Sequence, residues 1–132
     1  MDERERFEAG MRVRREVLGD EHVNRSLARL NPFNQEFQDF LVRYAWGEVW
    51  ARPGLDRRTR SMITLAMLVA LNRPEDFRMH VRAAFNTGLS RDEIREVLLQ
   101  TALYCGLPAA NAAFHMAEEV FAALEGERRI DG

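Results

Sequence analysis

Apolar positions in this chain recur at three- and four-residue steps, broken at intervals by helix-stopping residues, and no stretch alternates as a strand would. The first segment, about Asp2 to Leu18, is charged, with sparse apolar positions (Phe7, Met11, Val17, Leu18), and ends at Gly19. A short helix around Glu21 to Leu30 follows and is stopped by Asn31-Pro32. Asn34 then caps a helix to about Ala51, with Phe37, Leu41, Tyr44, Ala45 and Val49 at helical spacing, and Pro53-Gly54 breaks it. Asp56 caps the next helix, to about Leu71; from Met62 onward it is apolar on every side, which predicts the central buried helix. Pro74, at a favourable first-turn position, restarts the chain in a helix that ends at Gly88, a left-handed cap by position. Ser90-Arg91-Asp92-Glu93 reads as a capping box opening a helix to about Cys105. After the turn Gly106-Leu107-Pro108, an alanine-rich helix runs to about Leu124, ahead of a charged tail. The pattern predicts an all-α chain, one domain over residues 1–132, built as a bundle of about six helices.

Composition narrows the partners. Of 132 residues, 30% are charged and 46% hydrophobic, as in an ordinary globular chain, and the net charge of −2 gives no excess of positive charge for nucleic acid or an anionic membrane. All 19 basic residues are arginine, so a lysine Schiff base, one common route to decarboxylation, is excluded. Cys105 is the single cysteine, which rules out an intrachain disulfide and fits a reducing compartment. Met1 to Arg6 is charged and leads into no apolar signal segment, and the longest apolar stretch, Met62 to Leu71, is about half a bilayer span. The expectation is a soluble, cytoplasmic protein. Phe7, Phe33, Phe37, Phe40, Trp46, Trp50, Phe114 and Phe121 supply more apolar surface than one small bundle hides, which predicts contacts between subunits.

Four stretches together resemble the gamma-carboxymuconolactone decarboxylases of protocatechuate breakdown. They are Ala45-Trp46-Gly47-Glu48-Val49-Trp50, Gly54 to Ser61 (Gly-Leu-Asp-Arg-Arg-Thr-Arg-Ser), His80 to Gly88 (His-Val-Arg-Ala-Ala-Phe-Asn-Thr-Gly), and Glu93 to Gln100 with Tyr104-Cys105-Gly106-Leu107-Pro108-Ala109-Ala110. The resemblance runs from about Arg14 to Leu124. The last two stretches are common to a wider alkylhydroperoxidase D-like superfamily, whose peroxidases carry Cys-x-x-Cys-x-x-x-His. Counting back from Gly88 puts that histidine at His80 and the two thiols at Arg73 and Asp76. Cys105 lies on a later helix. Without an attacking and a resolving thiol, thiol peroxidase chemistry is not expected.

The resemblance implies a cofactor-free carboxy-lyase that converts gamma-carboxymuconolactone (4-carboxymuconolactone) to beta-ketoadipate enol-lactone, assembled as a homo-oligomer, a hexamer arranged as a trimer of dimers. A non-catalytic or small-ligand-binding member of the superfamily, or a lyase on a related lactone, remains the alternative. In such a reaction the substrate ring takes up the electrons. The protein then has to hold a spectator carboxylate, seat the departing one in an apolar pocket, stabilise the enolate oxygen and deliver a proton to carbon.

His80 is the first candidate acid or base, since an imidazole titrates near neutrality; the plainer reading pairs it with Asp76 or hydrogen-bonds it in the core. Glu48, between Trp46 and Trp50, is the second candidate, on the expectation that desolvation raises its pKa, against an i,i+4 pair with Arg52. Trp46 and Trp50 share a face and wall either a substrate pocket or a core. Arg57, Arg58 and Arg60 open a helix where cations oppose the dipole, so a bound anion would relieve them; Arg60 and Arg58 are the candidate carboxylate holders, unless Asp56 pairs with Arg60 and the others face solvent. Tyr104 either directs its hydroxyl into a pocket or is a core residue. His115 is read as a surface partner of Glu118 and Glu119. No metal site is expected, because the three histidines lie on separate segments.

Overall fold

Asp2 starts the first helix: its carboxylate accepts the Glu5 N–H at 2.8 Å, satisfying one of the amides that a helix start leaves open. The computed structural model describes residues 1–131, and these form two compact units, residues 1–57 and 58 onward, each helical throughout. Helices α1 (Glu3–Leu18), α2 (Asp20–Ala28) and α3 (Gln35–Phe40) belong to the first unit, and α3 runs on without a break into a π-helix, Leu41–Trp50. Gly19, at φ 91°, permits the turn between α1 and α2. Asn34 stands at the N-terminus of α3 but does not cap it. Its side chain instead accepts the Asn31 N–H and donates to the Arg29 carbonyl, both at 3.0 Å, so it holds the preceding turn.

Alpha-helical spacing predicts an ordinary helix over the Asn34-to-Ala51 segment, and its second half is instead a π-helix packed closely on α1. Two glycines permit that approach. A Cβ on Gly10 would lie 2.0 Å from the Val42 carbonyl oxygen, and one on Gly47 would lie 2.3 Å from the Arg6 carbonyl oxygen. Around this contact Ala9, Val13, Val17, Leu18, Val23, Val42 and Trp46 are buried.

The second unit comprises α4 (Arg57–Leu71, its first residue falling in unit one), α5 (Pro74–Asn86), α6 (Arg91–Cys105) and α7 (Leu107–Asp131). Pro74 sits in the first turn of α5, Gly88 has φ 99°, and the Ser90–Glu93 capping box is complete, as their order in the sequence predicts. Leu65, Val69, Phe77, Val81, Ala84, Leu89, Ile94, Leu98, Ala113, Ala117 and Val120 form the core. Full burial of one such side chain contributes about 1.5–3 kcal/mol.

Two expectations change. The described residues form seven α-helices and one π-helix, because the Asn34-to-Ala51 segment, read as one helix, divides into α3 and the π-helix. Helix α4 is not buried all round: Ser61, Leu65 and Val69 point inward, while Ile63, Met67 and Leu71 are exposed. Helix α7 also continues past Leu124, where Glu125 and Glu127 pair with Arg91 and Arg82.

Candidate active site

On α5, His80 follows Phe77 by three residues and precedes Ala84 by four, and both of these are fully buried. The imidazole itself is half-buried, with Nδ1 shielded from solvent. Asp76 and Arg73, four and seven residues earlier, are exposed. A thiol at either position would face water rather than the core.

The three arginines that open α4 diverge. Arg57 pairs with Glu16 at 2.6 Å within unit one. Arg58 is bound on both prongs by Glu93 and also donates to the Gly88 carbonyl, so it fastens the α5–α6 turn. Its donors are thus committed within the chain, to a carboxylate and a backbone carbonyl. Arg60 is half-buried, its Nε is shielded from solvent, and its carbonyl accepts the Thr64 hydroxyl at 2.7 Å. The first turn of α4 contains no acid of its own.

Of the two readings of Glu48, the structure shows the pair with Arg52. Its carboxylate bonds Arg52 at 2.6 Å and Arg6 at 3.3 Å, and these two partners, Arg52 first, hold its pKa below the usual carboxylate value instead of raising it. The two guanidiniums thus favour the ionised form of Glu48. Trp46 and Trp50 do share a face: their rings stack with centroids 5.1 Å apart, Trp46 buried and Trp50 half-buried. Tyr104, expected in a pocket or the core, is 82% exposed at the end of α6. His115 is exposed, and Glu119 turns to Arg78 at 3.1 Å.

A groove of about 490 Å³ lies between α4 and α6, floored by Met62, Ile63, Ala66 and Val97 and rimmed by Asp92, Glu93, Glu96 and Gln100. None of the candidate residues lines it, and three carboxylates at its rim would repel a dicarboxylate. Two features went unread in the sequence: the hydroxyl pair Ser61–Thr87, 2.7 Å apart with Ser61 buried, and the buried Arg14. Neither carries a local pattern that separates it from surface residues of the same type.

Comparison with known proteins gives these residues a context. The chain is similar to 4-carboxymuconolactone decarboxylase of Acinetobacter baylyi, with 60% identity over 121 residues, covering 92% of this chain and 90% of that one. It is also 42% identical over 103 residues to nitrosuccinic acid decarboxylase of Metarhizium robertsii, covering 78% of this chain and 72% of that one. A 4-carboxymuconolactone decarboxylase sequence from Pseudomonas putida is 58% identical over 48 residues, its full length and 36% of this chain. Residues 35–119 match the model of the carboxymuconolactone decarboxylase family, and the chain belongs to that family.

Proposed function

We propose that the protein is a carboxy-lyase that removes carbon dioxide from 4-carboxymuconolactone to give beta-ketoadipate enol-lactone. The observation that carries this reading is the 60% identity, across nearly the full length of both chains, to a decarboxylase named for that substrate. In the reaction the bond between ring carbon and carboxylate breaks and carbon dioxide leaves. The bonding pair moves through the ring alkene to the lactone carbonyl oxygen as an enolate, and one proton then adds to a ring carbon. The chain's task is to position and to protonate. His80 holds the proton that is delivered, because its imidazole is half-buried on α5 and imidazole is the side chain most often used to transfer protons in catalysis. Arg60 holds a carboxylate, since it stands half-buried near the start of α4 and a guanidinium fork matches a carboxylate. Residues 1–132 act in this reading as one functional domain.

The assembly is read as a homo-oligomer, a hexamer built as a trimer of dimers, working in the cytoplasm. Exposed Phe33, Met67, Leu71, Leu103, Tyr104 and Leu107 support subunit contacts. No helix of the described residues is long and apolar enough to cross a membrane.

The test is loss of the ultraviolet absorbance of the lactone on adding purified protein in the presence of a chelator. Acceleration over the spontaneous rate is expected, and its absence would sink the assignment. A second reading, decarboxylation of a nitro-substituted dicarboxylic acid, is favoured by the 42% identity to nitrosuccinic acid decarboxylase. Both substrates carry two carboxylates and an internal electron acceptor. Rates on lactone and nitrosuccinate, measured side by side, decide between them.

A further inference from the structure

Arg14 is 5% exposed, yet it forms no ion pair among the described residues. One prong, Nη2, donates to two neutral acceptors, the Ser26 hydroxyl at 3.0 Å and the Gln38 amide oxygen at a long 3.5 Å. Nε is shielded from water and makes no hydrogen bond. A guanidinium does not escape such a position by deprotonating, so the cost of burying its charge persists.

The charges nearby deepen the conflict. Burial, and then the charge of Arg15, lower the pKa of Arg14. His22, half-buried on α2, is pushed down by burial and by Arg14 from α1, with Arg25 and Arg29 of its own segment adding to the repulsion. The two acids at the start of α2 are already taken, Asp20 by Arg15 at 3.1 Å and Glu21 by Arg25 at 2.9 Å. Unit one thus holds a buried, incompletely bonded fork, and Arg25 and Arg29 act electrostatically on the same histidine as Arg14.

We infer that this cluster is a carboxylate-binding site, with Arg14 gripping a small organic carboxylate in place of the weak Gln38 contact, Ser26 donating a hydroxyl, and Arg25 and Arg29 supplying surrounding positive charge that His22 also senses. A planar carboxylate matches the fork geometry of a guanidinium and would bring the unused Nε into a two-point contact. The site stands on unit one alone and does not depend on the decarboxylase assignment.

The experiment uses the full chain and succinate, a dicarboxylate with no electron sink and so inert to the proposed reaction. The ring signals of His22, identified by comparison with His22→Gln, are followed by NMR as succinate is added at ionic strength held constant with sodium chloride. The signals are expected to move saturably, and the His22 titration midpoint to rise, because a bound anion offsets the three arginines. Arg14→Gln should weaken succinate binding about tenfold or more. Arg25→Ala and Arg29→Ala, both exposed, should each weaken it about two- to threefold. A linear, non-saturating response, a response matched by chloride alone, or an unchanged dissociation constant in Arg14→Gln overturns the site. If Arg14→Gln fails to fold, unchanged affinity in both exposed variants overturns it instead.

Discussion

At the scale of single residues, His80 and Glu48 part company. Both are candidates for moving a proton, but Glu48 is clamped as an anion by Arg52 and Arg6, whereas His80 keeps a half-buried imidazole. His80→Asn is therefore expected to lower kcat by about 100-fold, with a thermal midpoint close to that of the parent. Initial rates on the lactone check this, and an unchanged kcat would remove His80 from the role. Glu48 predicts a different measurement. Its folded pKa lies below the ordinary value of 4.5, so its pairing contributes stability above that pH and loses it as the pH falls through the folded value. Thermal midpoints between about pH 6 and pH 3 should fall more steeply for the parent than for Glu48→Gln, over the range set by the ordinary carboxylate pKa. Parallel curves would show that the pair is uncoupled from folding. The sequence offered the Glu48–Arg52 spacing but not the second clamp, because Arg6 lies 42 positions away.

Among the elements, glycine decides where helices touch. Gly10→Ala and Gly47→Ala each drive a methyl group into backbone carbonyls of a neighbouring helix, which has no flexible side chain to move aside. Each is expected to destabilise by about 1–3 kcal/mol or more. Gly126→Ala, with nothing within 4 Å in the helix α7, should instead stabilise by about 0.5–1 kcal/mol. Chemical denaturation of the three variants checks both signs, and a neutral Gly10→Ala would contradict the close approach of α1 and the π-helix. Helix starts and stops were legible because their signals are local: Pro74, Gly88 and the Ser90–Glu93 box act within one turn. The π-helix was not legible. Stacked Trp46 and Trp50 are four residues apart, a spacing that an α-helix would use equally well, and Gly10 contacts a segment more than thirty positions on.

For the whole molecule, the faces left open by the chain matter more than its core. Met67 and Leu71 on α4 and Leu103, Tyr104 and Leu107 around the α6–α7 turn are large apolar residues in contact with water. The hydrophobicity of α4 reads in sequence as burial within one chain, because a pattern reports that a face avoids water without reporting what covers it. Light scattering should give a mass several times the 15.3 kDa of one chain, and Leu103→Glu should reduce it. A monomeric parent protein at micromolar concentration would overturn the assembly. The same long-range blindness hid the commitment of Arg58, whose partner Glu93 lies 35 positions along the chain, and so kept it beside Arg60 as a candidate carboxylate holder.

The ion pairs among the described residues all use guanidinium, since the chain contains no lysine. An ammonium partner would begin to lose its charge near pH 10, whereas arginine keeps its charge beyond about pH 12. The pH tolerance of the fold should therefore be lopsided: acid erodes the pairs through their carboxylates, while alkali leaves them intact. A thermal midpoint at pH 10 within a few degrees of that at pH 7, beside a clear drop by about pH 4, is the signature expected of such a chain.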